Sequence, residues 1–482
     1  MKYYKNSVFS GARWTSVGNL AGQLIKFIVS IILARLLSPN DFGLLAMALV
    51  VMNFLDVFKT LGTRTALIQK KEISDELLSS VFIFNGLMGL LIFFGLFFFS
   101  PVISWLYREP RVSQIIGVMG FIFLITSFDA VPLALLNRQM RFRTIVGVEL
   151  FGSIIYGLVA ISLAFAGWKV WALVFGNMAR SFVNTILSFI FSKWRPKLFF
   201  KWSEINSIRR FSSFLTLDQI LRYFVQNSDN FIIGRFLGSV SLGYYDLAYR
   251  LFRYPISSIS GSLRRVLLPA FSKKQDENNI LCNQFIRACN SISLITFPLM
   301  IGICVLAGPF VNVILGQKWE ASIPLIMILS PAGTLFSISA VTGIIYTTKG
   351  RTDLLFYWNL ISNTIIILSF IVGLNWGVIG VASAYAISSL LIAYPSFAIP
   401  FRLINLSVNK FFKSLRPYFG SSVFMGLVLI GCRLFLEKVG FSSMIVLIIC
   451  TTMGTITYTF TILIIRPPAL QDLRKMLFMN SK

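Results

Sequence analysis

Apolar residues come in long uninterrupted runs along this chain. No Asp, Glu, Lys or Arg occurs within Leu77–Tyr107, Cys289–Gln317, Ala321–Thr348, Leu354–Phe401 or Val439–Ile465. A helix needs about 20 predominantly apolar residues to cross the hydrocarbon of a bilayer, and every one of these runs is longer. Strands of a membrane barrel would alternate polar and apolar residues, and the runs do not. Together with the polar punctuation between them, they predict fourteen helices, at 11–34, 42–62, 77–103, 114–136, 145–166, 170–192, 211–236, 242–268, 284–307, 322–346, 353–374, 378–400, 416–436 and 441–465. The fold class this implies is all-α, a polytopic transmembrane protein.

Composition agrees. The chain of 482 residues is 56% hydrophobic and only 13% charged, with a mean hydropathy of +0.78, whereas soluble domains carry about 25% charged residues. The first residues, MKYYKNSVFSGARW, lack the apolar core and small-residue cleavage site of a signal peptide, so the first helix is expected to be retained. The five cysteines, Cys282, Cys289, Cys304, Cys432 and Cys450, show no CxxC spacing, so neither a metal site nor a disulfide framework is expected. With no histidine at all, the commonest general base and metal ligand is missing. No GxxxxGK[ST] phosphate loop occurs, and no loop is long enough to hold a soluble catalytic domain. The expectation is a protein that is not an enzyme and uses no cofactor.

The net charge of +26 raises the question of nucleic acid, and its distribution answers it. Alternating the predicted loops puts 31 of the 44 Lys and Arg residues on one side and 8 on the other. Such asymmetry follows topology and marks the cytoplasmic side. It puts both termini there, with anionic lipid headgroups as further partners and no nucleic acid.

The chain also repeats itself. ARLLSPNDFGLL (34–45) returns as GRFLGSVSLGYY (234–245), pairing Arg35 with Arg235 and Gly43 with Gly243. Farther on, Arg143-Thr144 matches Arg351-Thr352, and Trp168 matches Trp376. The expected domains are a six-helix bundle over 1–200, a second over 201–405, and two more helices with a tail over 406–482. Six is even, so the copies start on the same side, as a parallel repeat about an axis along the membrane normal. In each copy the turn reads as a helix boundary, with Ser38 as N-cap and Pro39 at the first helical position. Ser239 is expected to serve alike.

Five cations remain deep inside predicted helices: Lys26, Arg180, Arg222, Arg250 and Arg253. Each costs about 2.5–3.5 kcal/mol at a helix centre on insertion scales, and such residues face a bundle interior or a water-filled cavity. They lie on polar stripes at helical spacing: Thr15, Asn19, Gln23, Lys26 and Ser30 on helix 1; Asn177, Arg180, Asn184 and Ser188 on helix 6; Asp218, Arg222 and Asp229 on helix 7; Asp246, Arg250, Arg253 and Ser257 on helix 8. These stripes predict one chamber between the two bundles, lined by guanidinium groups that match the oxygens of a diphosphate. Asp218–Arg222 and Asp246–Arg250 are also i,i+4 pairs in the favourable order, so mutual neutralisation is the competing account for them. Asp56, Asp129, Asp218 and Asp246 are candidates for binding a coupling proton or sodium ion. Glu149, near the start of helix 5, reads as structural, suited to the helix dipole.

The stretches ARLLSPNDFGLLAMALVVMNFLDVFKTLGTRTALIQKKE and GRFLGSVSLGYYDLAYRLFRYP resemble the first hairpins of the two halves of polysaccharide exporters in the multidrug/oligosaccharidyl-lipid/polysaccharide superfamily. The likeness is to bacterial flippases for O-antigen, exopolysaccharide and teichuronic-acid repeats. The resemblance implies two six-helix bundles around a central cavity, in the bacterial inner membrane. It implies that undecaprenyl-diphosphate-linked oligosaccharide is carried between leaflets by alternating access. A polysaccharide polymerase and glycosyltransferases are the protein partners it suggests. A multidrug or metabolite antiporter of the same superfamily is the alternative.

Overall fold

The computed structural model describes the chain apart from Met1, Lys71, Leu198, Lys273 and 472–482. The side chains of 2–17, Asn19, Thr60, 207–218, 221–222, Val225, 254–255, 257–266 and 268–270 also lie outside the described residues. Among the described residues the helices follow the predicted order. They are α1 (Lys2–Leu36), α2 (Pro39–Thr60), α3 (Asp75–Tyr107), α4 (Arg111–Arg138, in short segments), α5 (Phe142–Phe165) and α6 (Val170–Ser192). A 71-residue element, Trp202–Ser272, breaks at Gly238 (φ 81°) into α7 (202–237) and α8 (239–272). Then come α9 (Asn278–Val305), α10 (Ile323–Ser339, continued by Gly343–Thr348), α11 (Thr352–Gly373), α12 (Gly377–Leu403), α13 (Val408–Val439) and α14 (Ser443–Ile465). No strand occurs among the described residues. Among the described residues, ten stretches are long and apolar enough to cross a membrane, one of them holding both α11 and α12.

Several helices outrun their predicted ends. α7 starts at Trp202 and α13 at Val408, where the apolar runs begin at 211 and 416. Backbone hydrogen bonding does not stop at the edge of the hydrocarbon, so polar turns such as VNKFFKSL extend the helix into water. A further two-turn helix, Thr63–Gln69, follows α2 across Leu61 (φ 43°) and Gly62 (φ 74°).

The chain divides into two compact units, Met1–Gly243 and Tyr244–Lys482. In the first unit, α5 packs between α1 and α6, and glycines set the approach. A Cβ on Gly18 would stand 2.0 Å from Val146, and one on Gly157 2.6 Å from Val29. Gly22 faces Leu150, so α1 and α5 run parallel at a constant offset of 128 residues. A Cβ on Gly152 would stand 2.0 Å from Asn184, and one on Gly176 2.9 Å from Ala160, which sets α5 and α6 antiparallel. Small residues allow this closeness where burial of apolar surface provides no drive between helices.

The repeated turn explains itself in this unit. Ser38 caps α2 as expected: its amide and hydroxyl reach the Asp41 carboxylate (2.9 and 2.6 Å), its Oγ accepts the Asp41 amide, and Pro39 opens the helix. Ser239 does something else, donating its hydroxyl to Asn40 Oδ1 at 2.7 Å. The two copies of the turn therefore meet. A Cβ on Gly43 would lie 1.7 Å from the Ser239 carbonyl oxygen, and one on Gly243 1.9 Å from that of Pro39. This reciprocal contact, 39 with 243 and 43 with 239, is the mark of a local twofold axis between the two copies.

The second unit centres on an aromatic core. Phe271, Phe285, Phe397, Phe401, Phe411 and Tyr418 are all buried together, with Phe401 and Phe411 edge-on at 4.9 Å. α13 and α14 form a hairpin sealed by Leu429, Val446 and Cys450. The repeat shows here too. Lys169 (φ 49°, ψ −130°) and Gly377 (φ 67°, ψ −159°) occupy the same unusual conformation before α6 and α12. Arg351 (φ −99°, ψ 53°) caps α11 as Arg141 (φ −80°, ψ 52°) caps α5. Arg141, not Arg143, is thus the structural counterpart of Arg351, because α5 is two residues longer than α11.

Candidate functional site

Lys26 on α1 and Arg180 on α6 come together across α5. The glycine contacts give the register: Lys26 stands level with residue 154 of α5, and Arg180 with Tyr156. Two residues of helix are about 3 Å along the axis, so the two cations share one depth in the span, and Arg180 repels Lys26 electrostatically. Neither makes an ion pair or hydrogen bond among the described residues, and both are half-buried. Glu149, one and a half turns toward the start of α5, attracts Lys26. Its side chain is exposed, and its influence on Lys26 joins it to the same charged group. Asn184, a turn below Arg180, lies against the bare Cα of Gly152 with its Oδ1 unpartnered.

The cations of the second unit are differently engaged. Arg250 pairs with Asp246 at 2.8 Å, one turn away on α8, which is the neutralising arrangement that the spacing allowed. Arg253 donates Nη1 to Tyr249 Oη at 2.7 Å and lies 5.4 Å from the centre of that ring, a cation–π contact. Tyr249 is itself wedged between Tyr245 (5.7 Å) and Phe252 (4.9 Å). The side chains of Asp218 and Arg222 lie outside the described residues. Asp229 on α7 is buried.

The acids of the first unit have cationic partners. Lys59, the penultimate residue of α2, is buried and bound to Asp56 one turn before it at 2.8 Å and to Thr126 Oγ1 at 3.1 Å. Arg64, on the short helix, pairs with Asp129 at 2.8 Å. Asp129 sits where α4 tightens into a 3-10 turn, Ser127–Asp129, and nearby Thr63 donates to Asn85 Oδ1 at 3.2 Å. No cluster of three or more Cys, Asp or Glu side chains able to hold a metal occurs among the described residues.

The family model described as "Polysaccharide biosynthesis protein" matches residues 32–324. The chain belongs to this polysaccharide biosynthesis protein family. Among curated members, it is 27% identical over 467 residues to the teichuronic acid biosynthesis protein TuaB of Bacillus subtilis, covering 94% of each chain. It is 26% identical over 422 residues to the lipopolysaccharide biosynthesis protein WzxC of Escherichia coli, covering 87% of this chain and 83% of that one. Its fold is that of the lipid II flippase MurJ in an inward closed conformation, at a TM-score of 0.71 and 16% identity, over 96% of this chain and 98% of that one. An inward-facing multidrug MATE transporter also matches, at a TM-score of 0.61 and 14% identity, over 81% of this chain and 98% of that one. This family member is thus a multi-pass membrane protein with the all-helical fold of those transporters.

Proposed function

We propose that this protein carries a lipid-linked oligosaccharide from the cytoplasmic to the outer leaflet of the bacterial inner membrane, for assembly of a surface polysaccharide. The observation that carries the reading is the Lys26–Arg180 pair: two cations at one depth of the span, without ion-pair partners among the described residues, on two helices packed against α5. Ionisable residues inside a membrane protein mark a substrate or ion pathway, and an open cation pair suits an anion. Guanidinium and ammonium together suit the diphosphate that joins undecaprenol to its sugars. The names of TuaB, WzxC and MurJ point to the same class of cargo. A transporter of cationic drugs would gain nothing from such a pair, which disfavours the antiporter reading.

In this scheme the 31-cation side is cytoplasmic, with both termini on it. The two bundles, 1–200 and 201–405, carry the cargo by alternating access. Asp129 and Asp56, each paired with a cation, Arg64 and Lys59, are the candidate coupling groups. A polymerase receives the cargo on the outer leaflet. The test is complementation of a deletion strain. Lys26→Ala and Arg180→Ala are expected to abolish surface polysaccharide, with normal protein abundance in the membrane and lipid-linked precursor trapped on the cytoplasmic side. Wild-type export from both variants would sink the proposal.

A further inference from the structure

Glu149 is the one member of the charged group that a simple anion site does not need. It lies in the eighth position of α5, within the span Phe142–Phe165, and its side chain is exposed. Its backbone oxygen accepts from Ser153 Oγ at 2.8 Å, but its carboxylate makes no ion pair among the described residues. An acid at this depth is costly unless it faces a wet cavity. Placed for packing alone, it would be better replaced by an amide or an apolar residue.

The helix register sets it about one and a half turns from the level of Lys26, and Lys26 lies between two opposite influences, Arg180 repelling and Glu149 attracting. The three side chains come from three helices whose register is set by backbone-close glycine contacts, so their anchoring points are rigid. The axial separation of Lys26 and Glu149 is five residues, about 8 Å. Lysine carries its charge on a flexible four-carbon stem, while arginine presents a preorganised fork. Lys26 is therefore the movable member and Arg180 the fixed one. With Glu149 ionised the group has a net charge of +1, less than one diphosphate would neutralise.

We propose that Glu149 is a built-in counter-anion that exchanges with the substrate's diphosphate for Lys26, and so sets how fast cargo is released. When the diphosphate is bound, Lys26 reaches toward Arg180 and closes on the phosphate oxygens. When cargo leaves, Lys26 swings back to Glu149, so the departing anion does not strand two adjacent cations in the membrane. Glu149 is a positioning residue here; it weakens ground-state binding and raises turnover. The inference rests on the reading of Lys26 and Arg180 as diphosphate ligands.

The experiment uses the full chain in nanodiscs, titrated with a polyprenyl diphosphate, and in liposomes for turnover. Glu149→Gln is expected to tighten binding about tenfold at low salt, the scale of losing the competing Lys26–Glu149 attraction at about 8 Å in a partly hydrated site, and to slow turnover. Glu149→Asp is expected to behave nearly as wild type. In the Lys26→Gln background, adding Glu149→Gln is expected to change affinity by less than twofold, since the partner is gone. Weaker or unchanged binding by Glu149→Gln would overturn the proposal, as would an equal tightening toward phosphatidylglycerol, because bulk lipid would then fill the site. Failure of the diphosphate reading has a separate signature: Lys26→Ala and Arg180→Ala would bind polyprenyl diphosphate as tightly as wild type.

Discussion

At the residue scale, the intramembrane cations sort by what holds them. Arg250 has Asp246 and Arg253 has Tyr249, whereas Lys26 and Arg180 have each other and a distant acid. Their substitution should therefore fail in different ways. Arg250→Gln leaves the buried Asp246 carboxylate without its countercharge, which costs about 2–3 kcal/mol for a pair that is partly open to water. The expected result is a lowered melting temperature in detergent and less protein in the membrane, both largely restored by adding Asp246→Asn. Arg180→Ala should show the reverse, with normal abundance and no export. A normal melting temperature for Arg250→Gln would show that the pair contributes little to the fold. The i,i+4 spacing made Asp246–Arg250 legible in the sequence. Asp129–Arg64 and Thr126–Lys59 join residues 65 and 67 positions apart, and no local pattern announces them.

At the element scale, boundaries and breaks carry the information. The apolar runs located most of the helices, α2–α6 and α9–α14 among them, because bilayer thickness sets a length that a run either meets or does not. They could not locate the polar ends, where helix continues beyond the hydrocarbon. The turns before α6 and α12 show the duplication as geometry: Trp168 and Trp376 precede residues of matching positive φ, and one copy uses Lys169 where the other uses Gly377. An L-residue at φ 49° and ψ −130° is strained, since its Cβ crowds the backbone, and glycine is free of that clash. Lys169→Gly is expected to stabilise the protein by about 1 kcal/mol, read as a higher thermal midpoint in detergent with unchanged export. A drop in the midpoint would mean that the Lys169 side chain contributes more than its backbone costs.

At the scale of the whole molecule, the two copies of the turn matter together. Gly43 and Gly243 let the carbonyls of Ser239 and Pro39 come closer than any side chain would permit, and Asn40 takes the Ser239 hydroxyl across the seam. If transport proceeds by alternating access, this seam must part on every cycle. A chain carrying Asn40→Cys and Ser239→Cys should cross-link under mild oxidation, lose export while linked, and regain it on reduction. Full export by the cross-linked protein would remove the seam from the cycle.

The sequence by itself determined the all-helical, membrane-spanning fold class, because that follows from hydrophobic length and period, which are properties of local stretches. It also named Lys26 and Arg180, since a charge inside an apolar run is conspicuous wherever it folds. Only the tertiary structure decided that these two share a depth, that Glu149 belongs with them, and that Asp129 is held by Arg64. Those facts depend on how far one helix slides along another. That register is set by where glycines let backbones touch, at Gly18, Gly152 and Gly157, and a sequence read one helix at a time does not contain it.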